Sequence, residues 1–328
     1  MKKTIDVIIP AYNAEKFIEK TIRSVLEQTY LPEKIIVVND GSIDKTVEVV
    51  EEISKTSKVP IILISQENRG PNAARNVGLE HSDSEYIALL DADDIWKEEK
   101  LEKQLQVFEK SELENLGLVY TAYDLIDENG CKIKQSFLVF KLDPDLRGYV
   151  FNKMFDAMKI TGSCSGVLIK KKCFEKVGFF DESLRGAEDW DMWIRISKEF
   201  QIDYVNETLV HVRVHDKNSH NDQVMMAENM IMFLKKWSGI LDVGHPGRTQ
   251  LARKSFDYFF KAVFMFKFVT ACKLFKLYSV VLLREERSRI FNRTKGSVFL
   301  FALFCLPHYC IKQVRRVASC EICGKVER

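Results

Sequence analysis

Along the first hundred positions, short continuous apolar runs alternate with apolar residues spaced at helical intervals. "IDVIIP", Ile5 to Pro10, has strand length. Phe17, Ile18, Ile22, Val25 and Leu26 follow at helical spacing, with Asn13 as the candidate N-cap. "KIIVVND" reads as strand and "DKTVEVVEEI" as helix, then "PIILISQ" as strand and "PNAARNVGLEH" as helix, and "YIALLD" as a fourth strand. Apolar strands separated by helices predict an α/β fold, a mostly parallel sheet covered on both faces. Such sheets bind ligands beyond the carboxyl ends of their strands. The polar clusters fall there: Pro10-Ala11-Tyr12-Asn13, Asn39-Asp40-Gly41-Ser42, Gln66-Glu67-Asn68-Arg69-Gly70 and Asp91-Ala92-Asp93-Asp94.

From Gly117 to about Val214 the pattern is mixed, with strand-like "LVYTAYDLI", "GVLIK" and "DYVNETLVHVRVH" among helical stretches. From Val224 onward it is mainly helical, and "DVGHPGR", Asp242 to Arg248, is the candidate linker. At 328 residues the chain can bury a large core in one or two domains.

The formal net charge of +2 hides an asymmetry. Residues 251–328 hold sixteen Lys/Arg against five Asp/Glu, +11, which leaves −9 on the first 250 residues. A basic region of this kind suits phosphates or an anionic membrane surface. Eight cysteines without a disulfide-type framework fit a reducing cytosol. The N-terminus shows no signal-peptide h-region, and the apolar run "VFLFALFCL", Val298 to Leu306, is too short to span a bilayer.

The buried run Tyr86 to Leu90 ends directly in Asp91, Asp93 and Asp94. Carboxylates this close repel unless a positive charge joins them. A solvated turn, with Asp94 capping a helix that starts near Trp96, is one explanation. A divalent cation is the other, since Mg²⁺ or Mn²⁺ takes one or two carboxylates plus substrate phosphates. Neither a G-x-x-x-x-G-K-[ST] loop nor a G-x-G-x-x-G follows a strand, so a nucleotide site needs another design. Asp40 at a strand end can accept from a base N–H or a ribose hydroxyl, or it can simply serve its turn. Arg69 or Arg75 can pair with a diphosphate, or be solvated.

"VIIPAYNAEKFIEKTIRSVLEQTY", "IIVVNDGSIDKT", "NRGPNAARNVGL", "YIALLDADD" and "GAEDWDMWIRI" together resemble the family 2 glycosyltransferases of GT-A fold, over about residues 4 to 215. The resemblance implies a Rossmann-like GT-A domain, a nucleotide-sugar donor, a divalent metal (Mn²⁺ or Mg²⁺) and an inverting transfer. It places Pro10, Tyr12, Asp40, Arg75, Asp91 and Ala92 at the donor, with Arg69 competing for the role of Arg75. Tyr12 would lie against the base, and Asp40 would contact base or ribose. Asp93 becomes the metal ligand, with Asp91 nearer the ribose and diphosphate. The implied organisation is a catalytic domain 1–222, its 1–116 half for the nucleotide sugar and its 117–222 half for the acceptor, then a helical, basic region 223–328.

"GAEDWDMWIRI" sets Glu188, Asp189 and Asp191 beside Trp190 and Trp193. Direct displacement needs a base for the acceptor hydroxyl, and a carboxylate shielded by an indole has the raised pKa that suits one. The alternative is an amphipathic helix start, with Trp190, Trp193, Ile194 and Ile196 as core and the acids in the first turn. The resemblance gives the base role to Asp189, with Glu188 and Trp190 on the acceptor side. His211 and His215 lie four apart, on one face of a strand, with Arg213 assigned to the other side. His215 is a candidate metal ligand or phosphate contact. Acceptor choice is expected to rest on Ile160 to Ser165 and on the basic tail. Cys320 and Cys323 form half of a zinc-site pattern, short of the four ligands a closed site needs.

These readings converge on an inverting glycosyltransferase using a nucleoside-diphosphate sugar, UDP-linked, and a saccharide or polyprenyl-diphosphate-linked acceptor in cell-surface polysaccharide synthesis. It would be cytoplasmic, and peripheral at the inner membrane face if its Phe-rich basic tail lies in the interface rather than packing as a helical subdomain. Nucleic acid is not an expected partner, since acids line the cleft. The rivals are a sugar nucleotidyltransferase, which would release pyrophosphate, and a non-catalytic scaffold that binds a nucleotide sugar or a membrane.

Overall fold

The computed structural model describes residues 3–133, 142–143, 145–155, 160, 163–184, 186–216, 223–241, 245 and 247. The linker Asp242 to Arg248 falls almost wholly outside these residues, and the basic tail with Cys320 and Cys323 falls wholly outside them. The chain divides into two compact units, Met1–Asn221 and Asp222–Arg328.

In the first unit β1 (Ile5–Ala11), β2 (Lys34–Asp40), β3 (Ile61–Gln66) and β4 (Tyr86–Leu89) alternate with α1 (Ile18–Leu26), α2 (Thr46–Thr56) and α3 (Pro71–Glu80). Then come β5 (Ile95–Trp96), α4 (Lys100–Lys110), β6 (Leu116–Ile126), β7 (Val167–Lys170), α5 (Lys171–Val177), α6 (Glu188–Glu199) and β8 (Gln201–Arg213). The described strands form one eight-stranded sheet in the order β3-β2-β1-β4-β7-β6-β8-β5. β3, β2, β1 and β4 run parallel, as their connecting helices require. β7 is antiparallel to both β4 and β6, while β6 and β8 are parallel again, so the sheet is mixed.

β1 and β2 are buried along almost their whole length, which is why they read as uninterrupted apolar runs. The core runs from Ile5, Val7 and Ile9 through Ile35 and Val37 to Ile18, Ile22 and Val25 of α1. Gly78 of α3 lets that helix lie directly on β1: an added Cβ would meet Ile8 Cγ2 at 2.4 Å.

β7 turns the fold toward function. It sits between β4 and β6, so the segment leading into it, Ser163–Gly166, passes under the loop that follows β4. The second unit contributes α7 (Gln223–Ile240), with Met230, Phe233, Leu234 and Trp237 buried. Among the described residues no helix is long and apolar enough to cross a membrane.

Candidate active site

The loops after β1, β2 and β3 are tied together. Asn13 does not cap α1; it adopts a left-handed backbone (φ 48°) and bonds to the β2 loop. Its N–H donates to Ser42 Oγ at 2.9 Å, and its Oδ1 accepts from Ile43 N at 2.9 Å. Asp40 is buried and accepts from Gln66 Nε2 (2.7 Å), Arg69 N (2.9 Å) and Gly70 N (2.8 Å). It fixes the turn into α3, where Gly70 (φ 95°) takes a conformation that other residues rarely adopt, ahead of Pro71. Tyr12, 53% exposed, stands just beyond the end of β1, while Pro10 lies within the strand, in register with Val38. Arg69 extends outward to Glu182 at 2.8 Å and is exposed, whereas Arg75 is buried.

The acid cluster divides into distinct environments. Asp91 Oδ1 accepts from Arg75 Nη2 at 2.7 Å, and its N–H donates to Ser165 Oγ at 3.0 Å. Asp93 Oδ2 lies 2.9 Å from His215 Nε2, and its carbonyl accepts from Arg213 Nε at 2.8 Å. Thr21 Oγ1 of α1 donates to the carbonyls of Ala92 and Asp94, each at 2.9 Å, so Ala92 serves through its backbone.

Asp94 corrects an expectation. It caps no helix: the next helix, α4, starts at Lys100, and Trp96 belongs to β5. Asp94 is buried, with Oδ2 accepting from Ser163 Oγ (3.0 Å) and Ser165 Oγ (2.6 Å) and Oδ1 from Arg213 N (2.9 Å). Burial first, then the charges of Asp93 and Asp91, pushes its carboxyl well above the usual range. It pins the acid loop to the end of β8 and to the segment before β7.

Arg213 corrects another. A period of two puts 211 and 213 on the same side of β8, and Arg213 turns under the acid loop, donating also to the carbonyls of Asp127 and Glu128. His211 and His215 part company. His211 pairs through Nδ1 with Asp124, which also meets Lys132 at 3.0 Å. β8 ends at Arg213, so His215 lies past the strand, facing Asp93.

The second carboxylate centre opens α6. Glu188 accepts from Gly186 N and approaches Arg75 Nη1 at 3.6 Å. One guanidinium therefore spans Asp91 and Glu188 and holds the two acidic centres side by side. Asp189 Oδ1 accepts from Trp190 N at 2.7 Å. Burial, then the neighbouring Glu188, raises its carboxyl to about 7, against the pull of that N–H and of Arg75. Trp190, expected on the acceptor side, is buried, its Nε1 donating to Met154 O at 2.6 Å. It braces the Phe151–Phe155 segment, and with Trp193, Ile194 and Ile196 it forms core. Asp191 is also buried, paired with Arg195 at 2.9 Å. The core explanation of this motif thus holds for Trp190, Trp193, Ile194 and Ile196, while Asp189 has the raised carboxyl that the other explanation requires.

The residues fit a divalent cation. Asp93 Oδ2 and His215 Nε2, 2.9 Å apart, have the spacing of adjacent ligands held about 2.1 Å from an octahedral ion. Among the described residues no group of three His, Cys, Asp or Glu forms a cation cage. Such an ion would complete its shell with water and substrate phosphates, the usual habit of Mg²⁺.

Ser163 and Ser165 carry no motif that marks them in the sequence, and Phe17 and Arg213 stand within marked stretches with nothing local to show that they meet the acid loop. Ser163 and Ser165 fall in the segment expected to face the acceptor, yet they hold the acid loop.

The Glycosyl transferase family 2 model matches residues 6–167. An uncharacterized glycosyltransferase of Rickettsia typhi is 32% identical over 242 residues, which span 72% of this chain and 71% of that protein. TuaG of Bacillus subtilis, assigned to teichuronic acid biosynthesis, is 32% identical over 65% of this chain and 80% of its own. The S. aureus TarS 1–349 structure with UDP-GlcNAc superposes with a TM-score of 0.64 at 18% identity, covering 86% of this chain and 82% of that one. The mannosyltransferase PcManGT of Pyrobaculum calidifontis, with GDP-Man and Mn²⁺, gives 0.59 at 17% identity, covering 92% and 81%. The fold is thus of the GT-A kind, an α/β sheet with its polar loops at the strand ends. The chain belongs to glycosyltransferase family 2 and is a glycosyltransferase.

Proposed function

We propose that this enzyme moves a sugar, with inversion, from a nucleoside-diphosphate sugar to a hydroxyl of a saccharide or polyprenyl-diphosphate-linked acceptor. The observation that carries the reading is the single Arg75 guanidinium between Asp91 and Glu188, which joins a donor-side acid to the start of the helix bearing Asp189. Tyr12 offers an exposed ring for a base, and its neighbour Asn13 is bonded to the loop that follows Asp40. Asp93 and His215 would hold Mn²⁺ or Mg²⁺, which supplies positive charge to the departing diphosphate.

Asp189 acts as the base. Its carboxylate takes the proton of the acceptor hydroxyl while that oxygen bonds to the anomeric carbon. The bond from this carbon to the diphosphate oxygen breaks on the opposite face, so configuration inverts and a nucleoside diphosphate leaves. A carboxyl near 7 balances availability against basicity at neutral pH. Asp91 and Arg75 hold each other in place beside it.

UDP is the favoured nucleotide, in line with the UDP-GlcNAc bound by TarS, although PcManGT binds GDP-Man. A role in surface-polysaccharide synthesis accords with the assignment of TuaG. The catalytic domain would end near residue 222, and the basic region beyond it would hold the enzyme at the inner membrane face.

Asp189→Asn tests the mechanism. Transfer, followed as nucleoside diphosphate released in the presence of acceptor, should vanish while donor affinity stays within a few-fold. Equal loss of both removes Asp189 from the base role. Release of pyrophosphate from a nucleoside triphosphate would instead support a nucleotidyltransferase, and no turnover with any donor would support a scaffold. Deleting residues 297–328 should release the protein from membrane fractions; unchanged partitioning removes the membrane role.

A further inference from the structure

His215 lies two residues past the end of β8, one residue beyond the bond that Val214 N–H donates to Ile126 O at 2.8 Å. A hydrogen bond at Nε2 fixes one atom of an imidazole but still allows rotation about the N···O axis. The Phe17 ring limits that rotation. It stacks on the imidazole with centroids 5.0 Å apart and planes inclined by 28°. The Arg213 guanidinium lies 4.9 Å from the same ring while its Nε holds the Asp93 carbonyl. Phe17 is itself well anchored: its N–H donates to Ala14 O at 2.9 Å and its carbonyl accepts from Thr21 N at 3.1 Å. Thr21 in turn holds the carbonyls of Ala92 and Asp94. One aromatic ring at the start of α1 therefore touches the side chain facing Asp93 and the arginine that fixes the Asp93 backbone.

We infer that Phe17 is a positioning residue for divalent-cation binding: its ring sets the imidazole of His215 so that Nε2 and Asp93 Oδ2 present adjacent ligand positions. The inference rests on the proposed pairing of Asp93 and His215 at the metal. Partners that orient a ligating histidine commonly change metal affinity by about 10- to 100-fold when removed. A stacked ring that orients without bonding belongs at the lower end, about 10-fold. Leucine keeps the apolar bulk at position 17 but offers no flat face. Tyrosine and tryptophan keep the face.

The test is Mn²⁺ titration followed by electron paramagnetic resonance, at a pH where imidazole is neutral. It uses the full chain as wild type, Phe17→Leu, Phe17→Tyr, Phe17→Trp and His215→Ala. Thermal melts of each protein accompany it. The expected result is about 10-fold weaker Mn²⁺ binding in Phe17→Leu, with near wild-type binding in at least one aromatic variant. In kinetics, the Mn²⁺ concentration for half-maximal activity should rise while the rate at saturating Mn²⁺ changes little. Wild-type affinity in Phe17→Leu, with His215→Ala weakened, overturns the role of Phe17 and leaves the metal pair standing. Equal loss in the leucine and both aromatic variants also overturns it, since the flat face would then not matter. No Mn²⁺ binding by the wild type, or none lost in His215→Ala, overturns the metal pairing itself.

Discussion

Asp189→Asn should make the protein more stable as well as inactive, and the gain should depend on pH. The carboxyl sits at about 7 in the folded protein against 3.8 for an ordinary aspartate. Folding therefore favours its protonated form. Its stabilising contribution is complete below 3.8, where both states are protonated, and is lost as pH rises through 7. At about 1.4 kcal/mol per pH unit, the ionised carboxylate costs the native state up to about 4 kcal/mol. Asp189 is partly exposed and shares its field with Glu188, so screening reduces this to about 1–2 kcal/mol. Asparagine is nearly isosteric and can still accept the Trp190 N–H, but it cannot ionise. Melting of both proteins, without donor or metal, across the acid and neutral range gives the difference directly. The two should melt together near pH 4, and above about pH 8 the variant should melt about 4 °C higher. A pH-independent gap, or a variant that melts lower throughout, would refute the assignment of a costly carboxylate at 189. The matching kinetic signature is a wild-type kcat/KM that rises with pH and levels off above about 7. A gain in stability with loss of turnover is the expected mark of a group held in an unfavourable state for function.

Arg75→Met removes the cation between Asp91 and Glu188 and should cost about 1–3 kcal/mol in urea unfolding, because two partly buried acids lose their buried partner. Asp93→Asn should abolish the extra thermal shift that Mn²⁺ adds to UDP while leaving the melting temperature of the unliganded protein near wild type. Gly78→Ala should destabilise by about 1–3 kcal/mol, since its Cβ would lie 2.4 Å from Ile8 Cγ2. In an Ile8→Ala background the same change should cost much less, which denaturant midpoints can measure.

The front half of the fold was legible because each of its elements is specified locally. β2 matches the run "KIIVVND" at both ends, since a strand buried on both faces must be apolar throughout. α3 begins where Pro71 suits a first helical turn. The acid loop, the "GAEDWDMWIRI" helix start and the strand-end clusters were visible for the same reason: their residue types are unusual where they stand. Asp94 stayed ambiguous in the sequence because a carboxylate before an expected helix also looks like a cap. Its burial depends on Ser163, Ser165 and Arg213, which come from distant parts of the chain.

The sequence by itself determined the alternating strands and helices, the four polar strand ends and the family. These follow from side-chain periodicity and from short motifs. Only the tertiary structure decided how the centres meet. The antiparallel insertion of β7 between β4 and β6 carries Ser163 and Ser165 under the acid loop. The packing of α3 on β1 accompanies the burial of Arg75 between Asp91 and Glu188, 16 residues away on one side and near the start of α6 on the other. The exit of β8 sets His215 against Asp93 and Phe17. Charge pairing and ring stacking act through space over a few ångströms, so they depend on crossovers and strand order that no local pattern encodes.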